Sequence, residues 1–490
     1  MKKVKFTVSL MLILCFLFSN LNILALDSND YIYNEYAESV KAPAGYVYGK
    51  TVSGYDLGIG DLYKPSDIYI ENYIYIADSG NNRIVLLNKD YTYFSEIGTI
   101  FVDGKEEKLL NPTGVFKKND YLYICDTGNA RAVAIDTSKN VKRIFKCPDT
   151  NLLPKDFEFK PSKIIVNSAD SVFIAANGVY QGILQYGSND SFVGFFGANK
   201  VEVTTDVVLQ NMWKNIFSSK QREAMIRTVP TEYANLYIDK EDMIYTATKT
   251  VSTKQIQKLN SLGNNILVYP DSKGSLINRG YDKKNFGDQG YYEKNSKKSS
   301  QICDVHVDEN GIIASLDSRC GRVFLFNDEQ NQICIFGGSG NQNGSFKNAV
   351  AIEKNGEEYL ILDSDKNTIS VFYATEYMEN IISALKEYKK GNYDKSAEYW
   401  EKIISCNGAL SVAYRGIGRA MLNKGNYKDA IEYLKIGDDR YYYSMAIQQY
   451  RREYMRDNFI WLFPLILFIC FGFVAVIKYI KKKILQSSNK

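Results

Sequence analysis

Between residues 65 and 372 the chain repeats one short pattern six times, and repetition at that spacing leaves few folds open. The first copy runs from Pro65-Ser66-Asp67-Ile68-Tyr69-Ile70 to Tyr75-Ile76-Ala77-Asp78-Ser79-Gly80-Asn81-Asn82-Arg83-Ile84. The second runs from Pro112-Thr113-Gly114-Val115-Phe116 to Tyr123-Ile124-Cys125-Asp126-Thr127-Gly128-Asn129-Ala130-Arg131. A third starts at Pro161 and reads Ala175-Ala176-Asn177-Gly178 where the aspartate stood. A fourth, weaker copy begins at Tyr233, a fifth restores Asp317 with Arg322, and a sixth has Asp363 with Thr368 in the arginine place. Each copy contains an alternating strand, a turn, a second strand ending at the aspartate, a Gly/Asn-rich loop and a third apolar strand. Fourth strands follow at 94–97, 141–145, 192–196 and 333–336. Four short strands in about 40–50 residues make one propeller blade.

The proline before the first strand, the D-x-x-x-x-R loop and a Phe336-Gly337-Gly338 stretch between blades resemble the NHL repeat over residues 46–372. The resemblance implies an all-β six-bladed propeller of NHL type, placed here at 46–373. Tyr46-Val47-Tyr48-Gly49 reads as a strand with no blade of its own. It is expected to complete the sixth blade and close the ring, leaving no open edge.

After the propeller the period becomes helical. Ile381, Ile382, Leu385 and Tyr388 lead to Gly391-Asn392-Tyr393, and Gly425-Asn426-Tyr427 repeats that turn 34 residues on. Together with Tyr414, Ile417, Gly418, Ala430 and Leu434, this is similar to the tetratricopeptide repeat. Ser396 stands where that family has a small alanine. The expected module is an α-helical hairpin pair at 376–456, with a third helix running towards the chain's last hydrophobic segment.

Both ends carry targeting signals. Lys2, Lys3 and Lys5 precede an apolar stretch densest at 10–18, and Ala25 follows at a small-residue cleavage position. That order predicts a secretory signal peptide at 1–25; an uncleaved anchor is the alternative. Residues 459–477 carry no charge, just reach the length needed to cross a bilayer, and are followed by Lys478, Lys481, Lys482 and Lys483. Arg451, Arg452 and Arg456 precede the run, so flanking charge alone leaves the orientation open. The N-terminal signal decides it: a single-pass membrane protein is expected, with the N-terminal domains extracellular and a cytoplasmic basic tail at 478–490. A net charge of +4, partly from the lysines at the two ends, gives no electrostatic footprint for nucleic acid. Cys15 and Cys470 lie in the hydrophobic ends. None of the other cysteines falls in a metal-binding spacing, and Cys125 with Cys147, or Cys303 with Cys320, remain open as pairs.

Two sets of polar residues recur by position. The loop pairs Asp78 and Arg83, Asp126 and Arg131, and Asp317 and Arg322 are expected to be structural, each carboxylate tying its loop to a neighbour. The position after Pro-Ser or its equivalent holds Asp67, Gly114, Lys163, Asn235, Asp304 and Ala349. These six are expected to ring the mouth of the central channel, with Asp67, Lys163, Asn235 and Asp304 as the candidate ligand-binding set. Asp67, Asn235 and Asp304 offer the oxygen donors that a hard cation such as Ca²⁺ takes; the alternative is that Lys163 pairs with one aspartate and neutralises it. Two insertions, 198–231 and 271–301, fall in blade connections and are expected to decorate that same face, where loops carry function more often than scaffold does.

Two functions follow from these expectations. NHL propellers are mostly interaction platforms, which implies a membrane-anchored binding or scaffold protein for an extracellular glycan or protein. The architecture is also similar to Gram-positive surface proteins that accompany transport systems. The alternative is a metal-dependent lactonase of the gluconolactonase-like propeller type, but the glutamate expected in that ligand set is missing from the ring. The only histidine, His306, cannot supply a multi-histidine zinc site.

Overall fold

The computed structural model of the chain describes residues 30–34, 38–154, 156–197, 232–248, 255–267, 286–288 and 300–487. The expected signal peptide, the 198–231 insertion and most of 271–301 lie outside the described residues.

Hydrophobic alternation and turn residues in each repeat produce a small antiparallel sheet, and six such sheets form a β-propeller. Blade 1 consists of Asp67–Ile70, Ile74–Asp78, Arg83–Leu87 and Tyr93–Ile97. Blade 2 is Pro112–Lys118, Tyr121–Asp126, Arg131–Ile135 and Val141–Phe145, and blade 3 is Pro161–Val166, Val172–Ala176, Ile183–Tyr186 and Phe192–Phe196. Blade 4 has three strands among the described residues, Tyr233–Ile238, Ile244–Thr248 and Ile256–Leu259. Blade 5 is Ile302–Val307, Ile313–Asp317, Arg322–Phe326 and Gln332–Gly337. Blade 6 takes Ala349–Asn355, Glu358–Asp363 and Thr368–Ala374 from the end of the propeller, and its outer strand, Tyr46–Ser53, from the beginning. The register runs from Thr368 opposite Ser53 to Ala374 opposite Tyr46. The ring therefore closes by strand pairing, as the unattached 46–49 segment implied, and the closure joins the first residues of the fold to the last.

Burial follows position in the blade. Second strands such as Ile74–Asp78, Val172–Ala176 and Ile313–Asp317 are buried along their whole length, because neighbouring blades cover both faces. Outer strands such as Tyr93–Ile97 are mostly open to solvent. Among the described residues every cysteine is free, and Cys125, Cys303 and Cys334 are buried strand residues.

Five helices follow the last blade: α1 (Glu376–Lys389), α2 (Tyr393–Cys406), α3 (Ser411–Asn423), α4 (Tyr427–Ile436) and α5 (Arg440–Asp457). The two Gly-Asn-Tyr turns have the same conformation, with Gly391 and Gly425 at φ +81° and +82°. That region is open to glycine at little steric cost, which accounts for the recurring residue. Ser396 is fully buried, and its hydroxyl donates to the Ala384 carbonyl at 2.8 Å, so the polar group in the alanine place is satisfied. These helices do not form a separate core. One continuous apolar cluster joins Phe336, Tyr359 and Phe372 of the propeller to Met378, Ile381, Trp400 and Ile417 of the helices. Polar contacts reinforce the junction: Lys389 donates to the Asn310 carbonyl, and Arg415 Nη1 donates to Asn331 Oδ1 at 2.7 Å. Both propeller partners lie in blade 5 turns at the end where inner strands finish.

The final helix, α6 (Phe459–Ser487), contains Pro464. Its segment Phe459–Lys481 is long and apolar enough to cross a membrane, with none of it buried against the rest of the chain. A core helix would be covered; this one is not.

Candidate functional site: the channel mouth

Each inner strand starts near the propeller axis, and in blades 2 to 6 it starts with a bulge. Register shifts fall between Pro112 and Gly114, Pro161 and Lys163, Tyr233 and Asn235, Ile302 and Asp304, and Ala349 and Ala351. A bulge re-aims the side chain that follows it. The equivalent positions are therefore Asp67, Gly114, Lys163, Asn235, Asp304 and Ala351. Ala349, expected in this ring, is instead the residue before the bulge, opposite Asp363. Blade 6 lacks the proline that sets the count in blades 1 to 3, and the sequence alignment slipped by two residues there.

Asp67, Lys163 and Asn235 line a cavity of about 250 Å³, whose rim includes Ser66, Thr113, Asn177, Ser318 and Ser364, while Asp304, the fourth polar member of the ring, does not line it. All four are more than nine-tenths buried. Lys163 Nζ donates to Asp67 Oδ1 at 2.6 Å across the ring. The Val115 amide donates to Asp67 Oδ2 at 2.8 Å. Asp304 accepts its own blade's Val305 amide on Oδ1 and the Ile352 amide of blade 6 on Oδ2, both at 2.7 Å. Asn235 Oδ1 accepts from the Leu236 amide at 2.7 Å, which fixes its amide orientation.

These bonds repeat a single device. Asp67 reaches over Gly114 to the following residue of blade 2, and Asp304 reaches over Ala351 to the following residue of blade 6. At Gly114 the missing side chain makes room for the blade 3 backbone: a Cβ would meet the Ser162 carbonyl oxygen at 2.7 Å and Lys163 Cα at 3.0 Å. The paired signal, aspartate in one blade and a side chain no larger than alanine in the next, was present in the sequence.

Desolvation by burial pushes the Asp304 carboxyl up to about 7, opposed by the Lys163 charge and the Ile352 amide. Burial alone would disfavour the Lys163 ammonium, but Asp67, Asp304 and Glu353 outweigh it and hold the ammonium above the ordinary lysine range. For Asp67, Asn235 and Asp304 as a calcium set, the geometry is adverse. Both oxygens of each aspartate and the asparagine oxygen already accept hydrogen bonds, and the cation at the ring is Lys163. Among the described residues no group of three His, Cys, Asp or Glu side chains is arranged to hold a metal.

Two residues further along the inner strands, Tyr69, Phe116, Ile165, Tyr237, His306 and Glu353 form a second layer. Tyr69 packs on Phe116 with ring centroids 4.8 Å apart, and Tyr237 packs on His306 at 4.9 Å. His306 Nδ1 lies 3.0 Å from Glu353 Oε2, both side chains being buried. Sequence reasoning missed Glu353, because the blade 6 register was off by two.

The loop aspartates lie elsewhere, each fully buried beneath its own loop. Asp78 accepts from the Tyr63 amide at 2.7 Å and from Arg83 Nε at 2.8 Å. Asp126 accepts from the Leu110 amide and from Arg131 Nε, both at 2.9 Å. Each thus ties its loop to the chain segment entering the blade. Asp317 makes the same backbone tie through the Gln301 amide at 3.0 Å, but Arg322 does not pair with it. Arg322 instead reaches Tyr31 and, at 3.3 Å, Asp288. Residues outside the repeat, the 31–33 strand and the second insertion, drew this arginine away. Phe286 of that insertion is buried against Phe326, with ring centroids 5.0 Å apart, so its described part packs into blade 5. Further ties were not foreseen: Ser79 and Thr127, next to the aspartates, donate to the Pro112 and Pro161 carbonyls of the following blades at 2.6 and 2.7 Å.

No family model matches the chain, and no curated protein does. Solved structures do. Virginiamycin B lyase from Staphylococcus aureus aligns over 66% of this chain and 99% of its own, at 10% identity and a TM-score of 0.41. Hydrazine synthase from Kuenenia stuttgartiensis aligns over 68% and 99%, at 11% identity and a TM-score of 0.38. The extracellular domain of a hybrid two-component system from B. thetaiotaomicron aligns over 70% of this chain and 35% of its own, at 13% identity and a TM-score of 0.36. Likenesses this distant assign no role to any residue.

Proposed function

We propose that the chain is a membrane-anchored, extracytoplasmic binding protein of NHL-propeller type that captures its ligand at the channel mouth. One observation carries the reading: the mouth is a polar cavity at the end of the propeller away from the helices. A helix suited to a membrane follows those helices, and in the proposed topology the mouth faces outward. The tetratricopeptide-like helices then serve as a stem fused to blades 5 and 6 through the shared apolar cluster. Binding rather than catalysis is favoured because the ring carboxylates are capped by amides or by Lys163, and His306 faces Glu353 with no nucleophile between them. The ligand is an extracellular glycan or protein whose terminal group enters the mouth, and a role beside a transport system fits an anchored receptor. A lactonase would need Ca²⁺ or a similar ion on oxygens that already have partners.

The test uses photo-crosslinking side chains on intact cells. One placed at Asn177, on the mouth rim, should capture the partner. One at Asn119, in an exposed turn at the opposite end of blade 2, should not. Equal capture from both positions, or capture from Asn119 alone, would refute the mouth as the binding face.

A further inference from the structure

The donors and acceptors of the mouth are unequally occupied, and the imbalance defines what the cavity takes. Each of the ring's acceptors already has a partner: both Asp67 oxygens, both Asp304 oxygens and Asn235 Oδ1 each receive one hydrogen bond from the chain. The donors are not fully paired. Lys163 carries three N–H groups, and Asp67 is its only hydrogen-bond partner among the described residues. Asn235 is 6% exposed and lines the cavity, yet its Nδ2 has no partner among the described residues. Neither Lys163 Nζ nor Asn235 Nδ2 is among the sealed, unpartnered polar atoms of the described residues, so both reach the cavity space and can donate to a group that accepts. The two donors sit in adjacent blades, 3 and 4, as a pair of N–H sources facing one space.

We infer that the channel mouth binds a small organic carboxylate, free or at the end of a larger chain, through Lys163 and Asn235. This rests on the reading of the mouth as the binding site and adds its chemical class. A planar carboxylate offers two acceptor oxygens to two neighbouring donors, and the ammonium makes one of those bonds charge-assisted. The space is adequate, since an apolar cavity of about 150 Å³ holds a benzene molecule and this one measures about 250 Å³. The aspartates do not bar an anion. Asp67 is neutralised by Lys163, and Asp304 is capped by two amides and takes up a proton as the pH falls to about 7. The other charged group acting on Asp304 is Glu353 from blade 6, which also faces the His306 ring at 3.0 Å. Carboxylate affinity should therefore strengthen as the pH falls through 7, while Asp304 gains its proton.

Calorimetric titration of the full chain in detergent tests this with acetate, lactate and glucuronate, each beside its primary amide. At least one acid should bind with its amide about 10–100-fold weaker, the range set by one hydrogen bond to a charged group. Lys163→Met should lower that affinity by a similar factor. Asn235→Asp, which keeps an oxygen for the Leu236 amide and leaves the Asp67–Lys163 pair in place but removes the N–H donor, should lower it at least several-fold. Methyl glucuronide tests a chain-end source: affinity equal to free glucuronate assigns the site to a terminal group, and weaker affinity to the free acid. Amides binding as well as acids would overturn the carboxylate class and leave the mouth as a binding face. Absence of heat with every acid would overturn it too, and the crosslinks from Asn177 would still judge the face independently.

Discussion

Replacing Asp126 with alanine removes the carboxylate that holds blade 2's loop to its entering chain. Asp126 is fully buried and receives the Leu110 amide, the Asn129 side-chain amide and Arg131 Nε. Removing one partner of a buried ion pair costs about 3–5 kcal/mol. Arg131 is slightly exposed and retains Glu107 at 2.7 Å, which places the expected loss near the lower end, about 3 kcal/mol. A domain of 150–250 residues loses roughly 2–4 °C per kcal/mol. The larger propeller should therefore fall by about 6 °C in thermal unfolding of the detergent-solubilised chain. A double-mutant cycle with Arg131→Met isolates the pair, because removing both partners leaves no unpaired buried charge. The double variant should be less destabilised than the sum of the two single variants. A loss under about 1 °C for Asp126→Ala, or simple additivity, would refute the structural role of the loop pair.

Trp400→Ala tests whether the helices and propeller unfold together. The side chain is 1% exposed within the cluster shared with blades 5 and 6, so the cost should be about 3–5 kcal/mol, with one transition shifted as a whole; an unshifted propeller transition would contradict this. The raised Asp304 carboxyl predicts a pH effect of definite sign. Its ordinary value is about 3.9, so between about pH 4 and 7 the folded state holds a proton that the unfolded state releases. Stability should fall over that range by up to about 4 kcal/mol as pH rises. Asp304→Asn should flatten the fall, and parallel pH profiles for the two proteins would contradict the assignment.

Much of the fold was legible because strand periodicity and turn residues recur. Pro65, Pro112 and Pro161 mark blade starts, and the unpaired strand at Tyr46 anticipated the closure of blade 6. The ring was legible where a proline fixed the count or, in blades 4 and 5, where a polar residue marked the position, and it shifted by two at Ala349, where neither mark is present. That shift concealed Glu353 as His306's partner. Arg322 was misassigned for another reason: its partners, Tyr31 and Asp288, come from segments outside the repeat, which sequence spacing does not relate to it. Convergence itself was visible as a pattern of polar residues, but hydrogen-bond occupancy was not. The sequence offered three oxygen donors and suggested a cation, whereas the folded ring has used those oxygens and leaves N–H groups open.

Thiol labelling on intact cells tests whether the propeller is anchored with its mouth facing outward. In a chain whose exposed cysteines, Cys147, Cys406 and Cys470, are replaced by serine, a membrane-impermeant maleimide should label Asn177→Cys at once. Lys481→Cys, beyond the apolar segment, should label only after the membrane is opened. Labelling of Lys481→Cys on intact cells with Asn177→Cys protected would contradict the account.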